Sequence, residues 1–145
     1  MMEPETLAAF FEHDRFASGN GMRVVEVRTG FARAEMTVEP CHLNAVGILQ
    51  GGALFTLADL AFAAASNSHG VVAVACQADV TYFKAVEAGK LTAVAEEISR
   101  THKLSTCLVR IGDERGELVA LFKGVAYIKG TPLRAAGGEG GSGDR

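Results

Sequence analysis

A chain of 145 residues with 48% hydrophobic content can bury one sizeable core and fits a single domain of the usual ~100 to 200 residues. Its formal charge of -3 gives no reason to invoke nucleic acid or an anionic membrane surface as a partner. Cys41, Cys76 and Cys107 include no C-x-x-C pair, and His13, His42, His69 and His102 include no H-x-x-x-H or H-E-x-x-H spacing. Neither a disulfide framework nor a metal site is therefore expected, and the thiols read as structural.

Glu3 to Phe11 reads as a short amphipathic helix, with acids early and apolar residues at Leu7, Ala8, Phe10 and Phe11. His13 to Gly21, ending Gly19-Asn20-Gly21, reads as a turn. Alternation from Met22 to Arg28, a turn at Thr29-Gly30 and a return from Phe31 to Val38 predict a hairpin that Pro40 ends. A loop from Cys41 to Gln50 follows, in which His42 is expected as a surface histidine. After Gly51-Gly52 the chain reaches Asn67 without proline or interior glycine, and Leu54, Leu57, Ala58, Ala61, Ala64 and Ala65 recur at helical spacing.

Past Gly70, a natural helix stop, strands dominate. Val71 to Phe83 alternates, and its first face (Val72, Val74, Cys76, Ala78, Val80 and Tyr82) is expected to clasp the helix. Further strands are predicted at Lys90–Ser99, Leu104–Ile111 and Leu118–Lys129, the last pair joined by a hairpin loop over Gly112–Gly116. One long helix among strand runs implies an α+β domain over residues 1–132, an antiparallel sheet wrapped round that helix. The glycine-rich tail, 133–145, has too little apolar surface to fold. No charged segment leading into an apolar stretch and a cleavage site opens the chain, which makes the cytoplasm the expected compartment.

The helix carries a single ionisable side chain, Asp59, with Phe55 and Phe62 three and four residues away and hence above and below it. A helix this apolar is buried in a core or a bilayer, but the run is short for a span and holds the acid near its middle, so a soluble core is expected. A buried Asp either bonds a nearby amide or serves chemistry. The glycines favour chemistry, because the first N–H groups of a helix lack internal partners and Gly51 and Gly52 carry no side chain to fend off a ligand oxygen. Such a terminus stabilises a developing oxyanion. Asp59 lies roughly 12 Å along the axis from Gly51, too far for one carbonyl to touch both. If they serve one reacting centre, they come from different subunits, and two antiparallel helices about a two-fold axis give two equivalent sites in an obligate homodimer.

The string Asn44, Gly47, Gln50-Gly51-Gly52, Phe55, Leu57-Ala58-Asp59, Ala61-Phe62, Asn67 and Gly70 closely resembles the hotdog-fold acyl-CoA thioesterases of the PaaI type, a family associated with phenylacetate degradation. The resemblance extends from about Leu7 to Leu133. It implies a hotdog fold and hydrolysis of acyl-CoA thioesters, with the Gly51 amide polarising the carbonyl and the other subunit's Asp59 acting as nucleophile or general base. Asn44 matches the family's Asn before the helix. Gln50 stands where the family usually has His in an HGG triplet, which replaces a group that titrates near neutrality with an amide. It can still bond the thioester oxygen or position a water.

An aryl substrate such as phenylacetyl-CoA or hydroxyphenylacetyl-CoA is implied, with Gly52 at the carbonyl and Phe55, Phe62 and Tyr82 as candidate walls for the acyl group. Coenzyme A enters as part of the substrate and no separate cofactor is expected. Its anionic end needs local positive charge, for which Arg100 and Lys103, beside Ser105 and Thr106, form a candidate turn. A solvated hairpin turn is the competing reading. The alternatives are a non-catalytic acyl-CoA binding protein, which Gln50 favours, and a hydratase or dehydratase, which would need an acid/base pair where the helix supplies Asp59 alone. Pairing of dimers into a tetramer stays open.

Overall fold

The computed structural model describes residues 3–134. Helices α1 (Pro4–Phe11) and α2 (Arg15–Gly19) precede a hairpin of β1 (Arg23–Arg28) and β2 (Phe31–Thr37). A single 3-10 turn, Pro40–His42, and a loop lead to the long helix α3 (Gly51–Ser66). Strands β3 (Val71–Tyr82), β4 (Lys90–Arg100), β5 (Leu104–Gly112) and β6 (Leu118–Pro132) follow. The six strands form one antiparallel sheet in the order β1-β2-β4-β5-β6-β3, curled round α3 as the hotdog architecture requires.

Residue size explains how the sheet closes on the helix. Ala32 and Ala34 on β2 and Ala93 and Ala95 on β4 are fully buried, and their small side chains let the strand backbones come close to α3. On β6 the extreme case is Gly124, where an added Cβ would stand 2.8 Å from the Phe62 ring. Phe62 and Phe55 both pack against Phe122 of β6, with ring centroids 5.8 and 5.3 Å apart. Burying side chains of this size contributes roughly 1.5–3 kcal/mol each.

Three expectations need correction. The stretch read as a turn after His13 contains α2, whose N-terminus is held by the Asp14 carboxylate accepting the Ala17 N–H at 3.0 Å. Strand β3 does not present one face throughout. Ala78 and Val80 pack on the core as expected, but nearer the helix Ala73 is the buried residue, and Val74 is 46% exposed. Register shifts between Val71 and Ala73 and between Ala75 and Gln77 invert the pleat, which leaves Cys76 exposed. The cysteines are thus not all buried structural thiols: Cys41 and Cys76 are exposed, and only Cys107 is buried.

Strand β6 continues to Pro132, and the Leu133 N–H donates to Gly70 O at 2.9 Å. The reading of the glycine-rich tail concerns residues that lie mostly outside the described ones. Among the described residues no helix is long and apolar enough to cross a membrane. Strand β3 pairs only with β6, and its other edge has no strand beside it among the described residues.

Candidate active site

The loop before α3 is built by Asn44. Its Oδ1 accepts the Val46 and Ile48 N–H groups at 3.0 and 3.2 Å, and Gly47 takes the positive φ of 90° that the reversal requires. Leu43 bridges Leu49 across the reversal, which delivers Gln50 to the N-cap of α3. Gln50 Oε1 accepts the Gly52 N–H. A peptide N–H only donates, so this bond fixes the amide's orientation and turns Nε2 away, with no hydrogen-bond partner among the described residues. The Gly51 N–H likewise has none among the described residues.

The glycine pair has intramolecular reasons that the sequence did not disclose. A Cβ on Gly51 would stand 3.0 Å from the Tyr82 phenol oxygen, and one on Gly52 would stand 2.5 Å from Gln50 Oε1. Tyr82 donates its O–H to Gly51 O at 2.9 Å. The first turn of α3 is therefore gripped from both sides, and Gly51 keeps an unpaired amide that points out of the helix end.

Two grooves flank this turn. One of about 440 Å³ is lined by Asn44, Gly51, Leu54 and Tyr82, and another of about 530 Å³ between α2 and α3 by Phe16, Met22, Leu43, Gln50, Phe55 and Thr56. His42 also borders the second groove, but not as a surface residue: it is 4% exposed. Its Nδ1 accepts the Glu39 N–H at 2.9 Å and its Nε2 donates to Asn20 O at 2.8 Å, so both nitrogens hold backbone together. The expected aryl walls do not share one cavity. Phe55 faces the larger groove, Tyr82 the smaller, and Phe62 is 1% exposed and belongs to the core.

Asp59 is half-buried one helical turn beyond Phe55 and makes no hydrogen bond or ion pair among the described residues. Burial pushes its carboxyl pKa up, and the negative charge of Asp14 adds to the shift. A half-buried carboxylate with a perturbed pKa and no partner among the described residues is a candidate for proton transfer or nucleophilic attack. Asp59 and Gly51 occupy one continuous helix, so the roughly 12 Å between them is fixed within a protomer.

The proposed basic turn does not assemble as expected. Ser105 is fully buried and donates to Glu97 Oε2, which also accepts from Arg100 at 3.1 Å, while His69 bonds Glu97 Oε1 at 2.9 Å. Arg100 further donates to Ser66 O, the last residue of α3, at 3.4 Å. Arg100 and Ser105 thus serve an internal latch at the far end of the helix. Lys103 is exposed, and Thr106 lies on the opposite face of β5 from Ser105. Burial alone would raise the Glu97 carboxyl, but the bonds from Ser105, His69 and Arg100 outweigh it and hold the group below its ordinary value. Glu97 escaped the sequence reading, although it continues the inward parity of Leu91, Ala93 and Ala95 and an acid at an inward strand position is a usable signal. The described residues include no cluster of three or more His, Cys, Asp or Glu able to hold a metal.

Residues 46–120 match the family model of the Thioesterase superfamily. A protein of Archaeoglobus fulgidus that carries a provisional esterase name is 42% identical over 118 residues, covering 81% of this chain and 77% of its own. The acyl-coenzyme A thioesterase PaaI of Escherichia coli is 36% identical over 125 residues, covering 85% and 89%. The solved structure of the E. coli PaaI protein, from the phenylacetic acid degradation operon, superposes with a TM-score of 0.85 at 33% identity, covering 90% of this chain and 95% of that one.

Proposed function

Because the chain belongs to the thioesterase superfamily, in its PaaI-type hotdog branch, we propose that it hydrolyses acyl-CoA thioesters, with aryl-acetyl-CoA as the preferred class. The observation that carries the mechanism is the pairing of two unsatisfied groups on α3, the outward Gly51 N–H and the partnerless Asp59 carboxylate. The Gly51 amide, backed by the helix dipole, takes the carbonyl oxygen as it gains charge. Asp59 of the other subunit attacks the carbonyl carbon or takes a proton from the attacking water, and its raised pKa makes it a stronger base than a solvated carboxylate. The thiolate of coenzyme A then departs; on the nucleophilic route it leaves an acyl-aspartyl anhydride, which water cleaves to release the acid and restore the carboxylate.

Helix geometry supports a homodimer with shared sites. Two α3 helices packed antiparallel, with Asp59 beside the partner's Gly51, carry each C-terminal end roughly 10 Å past the partner's helix start. On that arrangement Lys103 would serve the nucleotide of the partner's substrate. The open edge of β3 offers the contact: it runs for 12 residues with no lysine or proline to blunt it, and Asp79 is its only charge. The 530 Å³ groove is of the size that takes a small acyl group, and Phe16, Met22, Leu43 and Phe55 give it apolar walls. E. coli PaaI, with its setting in phenylacetic acid degradation, supports the aryl preference. Three free thiols suit a cytoplasmic setting.

The test is thiol release from phenylacetyl-CoA, hydroxyphenylacetyl-CoA and a series of aliphatic acyl-CoAs. Release that is fastest with the aryl substrates and abolished in Asp59→Ala supports the reading; tight binding without release would make the protein a carrier instead.

A further inference from the structure

The phenol of Tyr82 sits on the peptide group that joins Gly51 to Gly52. Its O–H donates to Gly51 O at 2.9 Å, and the N–H at the other end of that same peptide is held by Gln50 Oε1. Donor and acceptor bonds at the two ends of one amide polarise each other, and the Gln50 side chain is itself an amide that relays the effect to its Nε2 hydrogens. Those hydrogens have no partner among the described residues, and Gln50 borders the larger groove. The contact is specific: Tyr82 is brought to the helix start from the end of β3, 31 positions away, and Gly51 must lack a side chain for the ring to reach it.

We infer that Tyr82 is a positioning residue for the thioesterase reaction, acting through the Gly51–Gly52 peptide to fix and polarise the Gln50 amide as a donor beside the Gly51 N–H. The inference rests on the functional reading above. It replaces the expectation that Tyr82 is a wall for the acyl group. The Tyr82 hydroxyl proton is committed to the backbone of the helix start, whose amide is the group assigned to the carbonyl. In this chain the usual histidine is absent, and the relay supplies an oriented donor that needs no titratable group.

Tyr82→Phe keeps the ring and removes only the hydroxyl, so the fold should survive and the melting temperature should stay close to that of the wild type. Expected are a fall in kcat of about threefold to tenfold with KM nearly unchanged, and an upfield move of the Gly52 amide proton in the NMR spectrum as its bond to Gln50 weakens. In a Gln50→Ala background the same change should cost less than about twofold, because the relay's end point is already gone. An effect on KM alone, an unmoved Gly52 amide, or the same loss of kcat in both backgrounds would overturn the inference. Asp59→Asn is run alongside: if it is as active as wild type, the functional reading fails and takes the inference with it. If Asp59→Asn is inactive and Tyr82→Phe is indistinguishable from wild type, the inference alone fails.

Discussion

Under the proposed mechanism, function and stability pull in opposite directions at Asp59. Burial and the Asp14 charge raise its folded pKa above the ordinary 3.8, so folding favours the protonated form. The stability tied to that form is full below pH 3.8 and is lost as pH rises through the raised folded value. Above that value the stabilisation is gone, and the ionised form is the one that burial and Asp14 disfavour. Asp59→Asn should melt at a higher temperature than wild type at pH 7, and the gap should close in acid; thermal melts across that range check it. The same variant should lose about 100-fold or more in kcat. A variant both less active and less stable at neutral pH would point to a structural role instead. Asp59 and Gly51 stand out in the sequence as an acid in an apolar helix and a bare helix start, whereas Asn44 was marked only by the family resemblance, and its bonds to Val46 and Ile48 emerge from the fold. The Tyr82 contact and the His42 bonds to Glu39 and Asn20 were not legible, because long-range pairings leave no mark in local spacing.

Among elements, α3 depends on close approach at one end and an ionic latch at the other. Gly124→Ala would press a methyl to 2.8 Å from the Phe62 ring, and Phe62 is wedged against Phe122 with little room to yield. A loss of roughly 1–3 kcal/mol is expected in denaturant unfolding. The latch at Glu97 behaves oppositely to Asp59. Its lowered pKa means that its contribution is full above the ordinary value of 4.5 and lost as pH falls through the folded value. Glu97→Gln should therefore destabilise at pH 7 by roughly 1–3 kcal/mol and converge on wild type in acid, measured by chemical unfolding at several pH values. Periodicity predicted α3 and all six strands because their apolar patterns are long and regular. It missed α2, which is too short to show a period, though Asp14 as a cap was there to be read. It also gave β3 one constant face, since bulges are set by pairing with β6 and not by the strand's own pattern.

For the molecule as a whole, the sheet order leaves one edge of β3 with no strand beside it among the described residues, and α3 carries Gly51 and Asp59 roughly 12 Å apart, the two groups assigned above to one reaction. The proposed composite dimer would account for both at once. Two variants isolate it: Asp59→Asn, which keeps a clear helix start, and Gly51→Val, which keeps the acid but crowds Tyr82 and blocks the amide. Each homodimer should be folded and inactive. In a purified mixed dimer, the acid of the Gly51→Val protomer meets the free amide of the Asp59→Asn protomer at one site, while the other site holds both defects. The account predicts recovery of about half the wild-type rate of thiol release in that mixed dimer. No recovery in a folded mixed dimer would mean that each protomer works with its own acid and amide, and would contradict it.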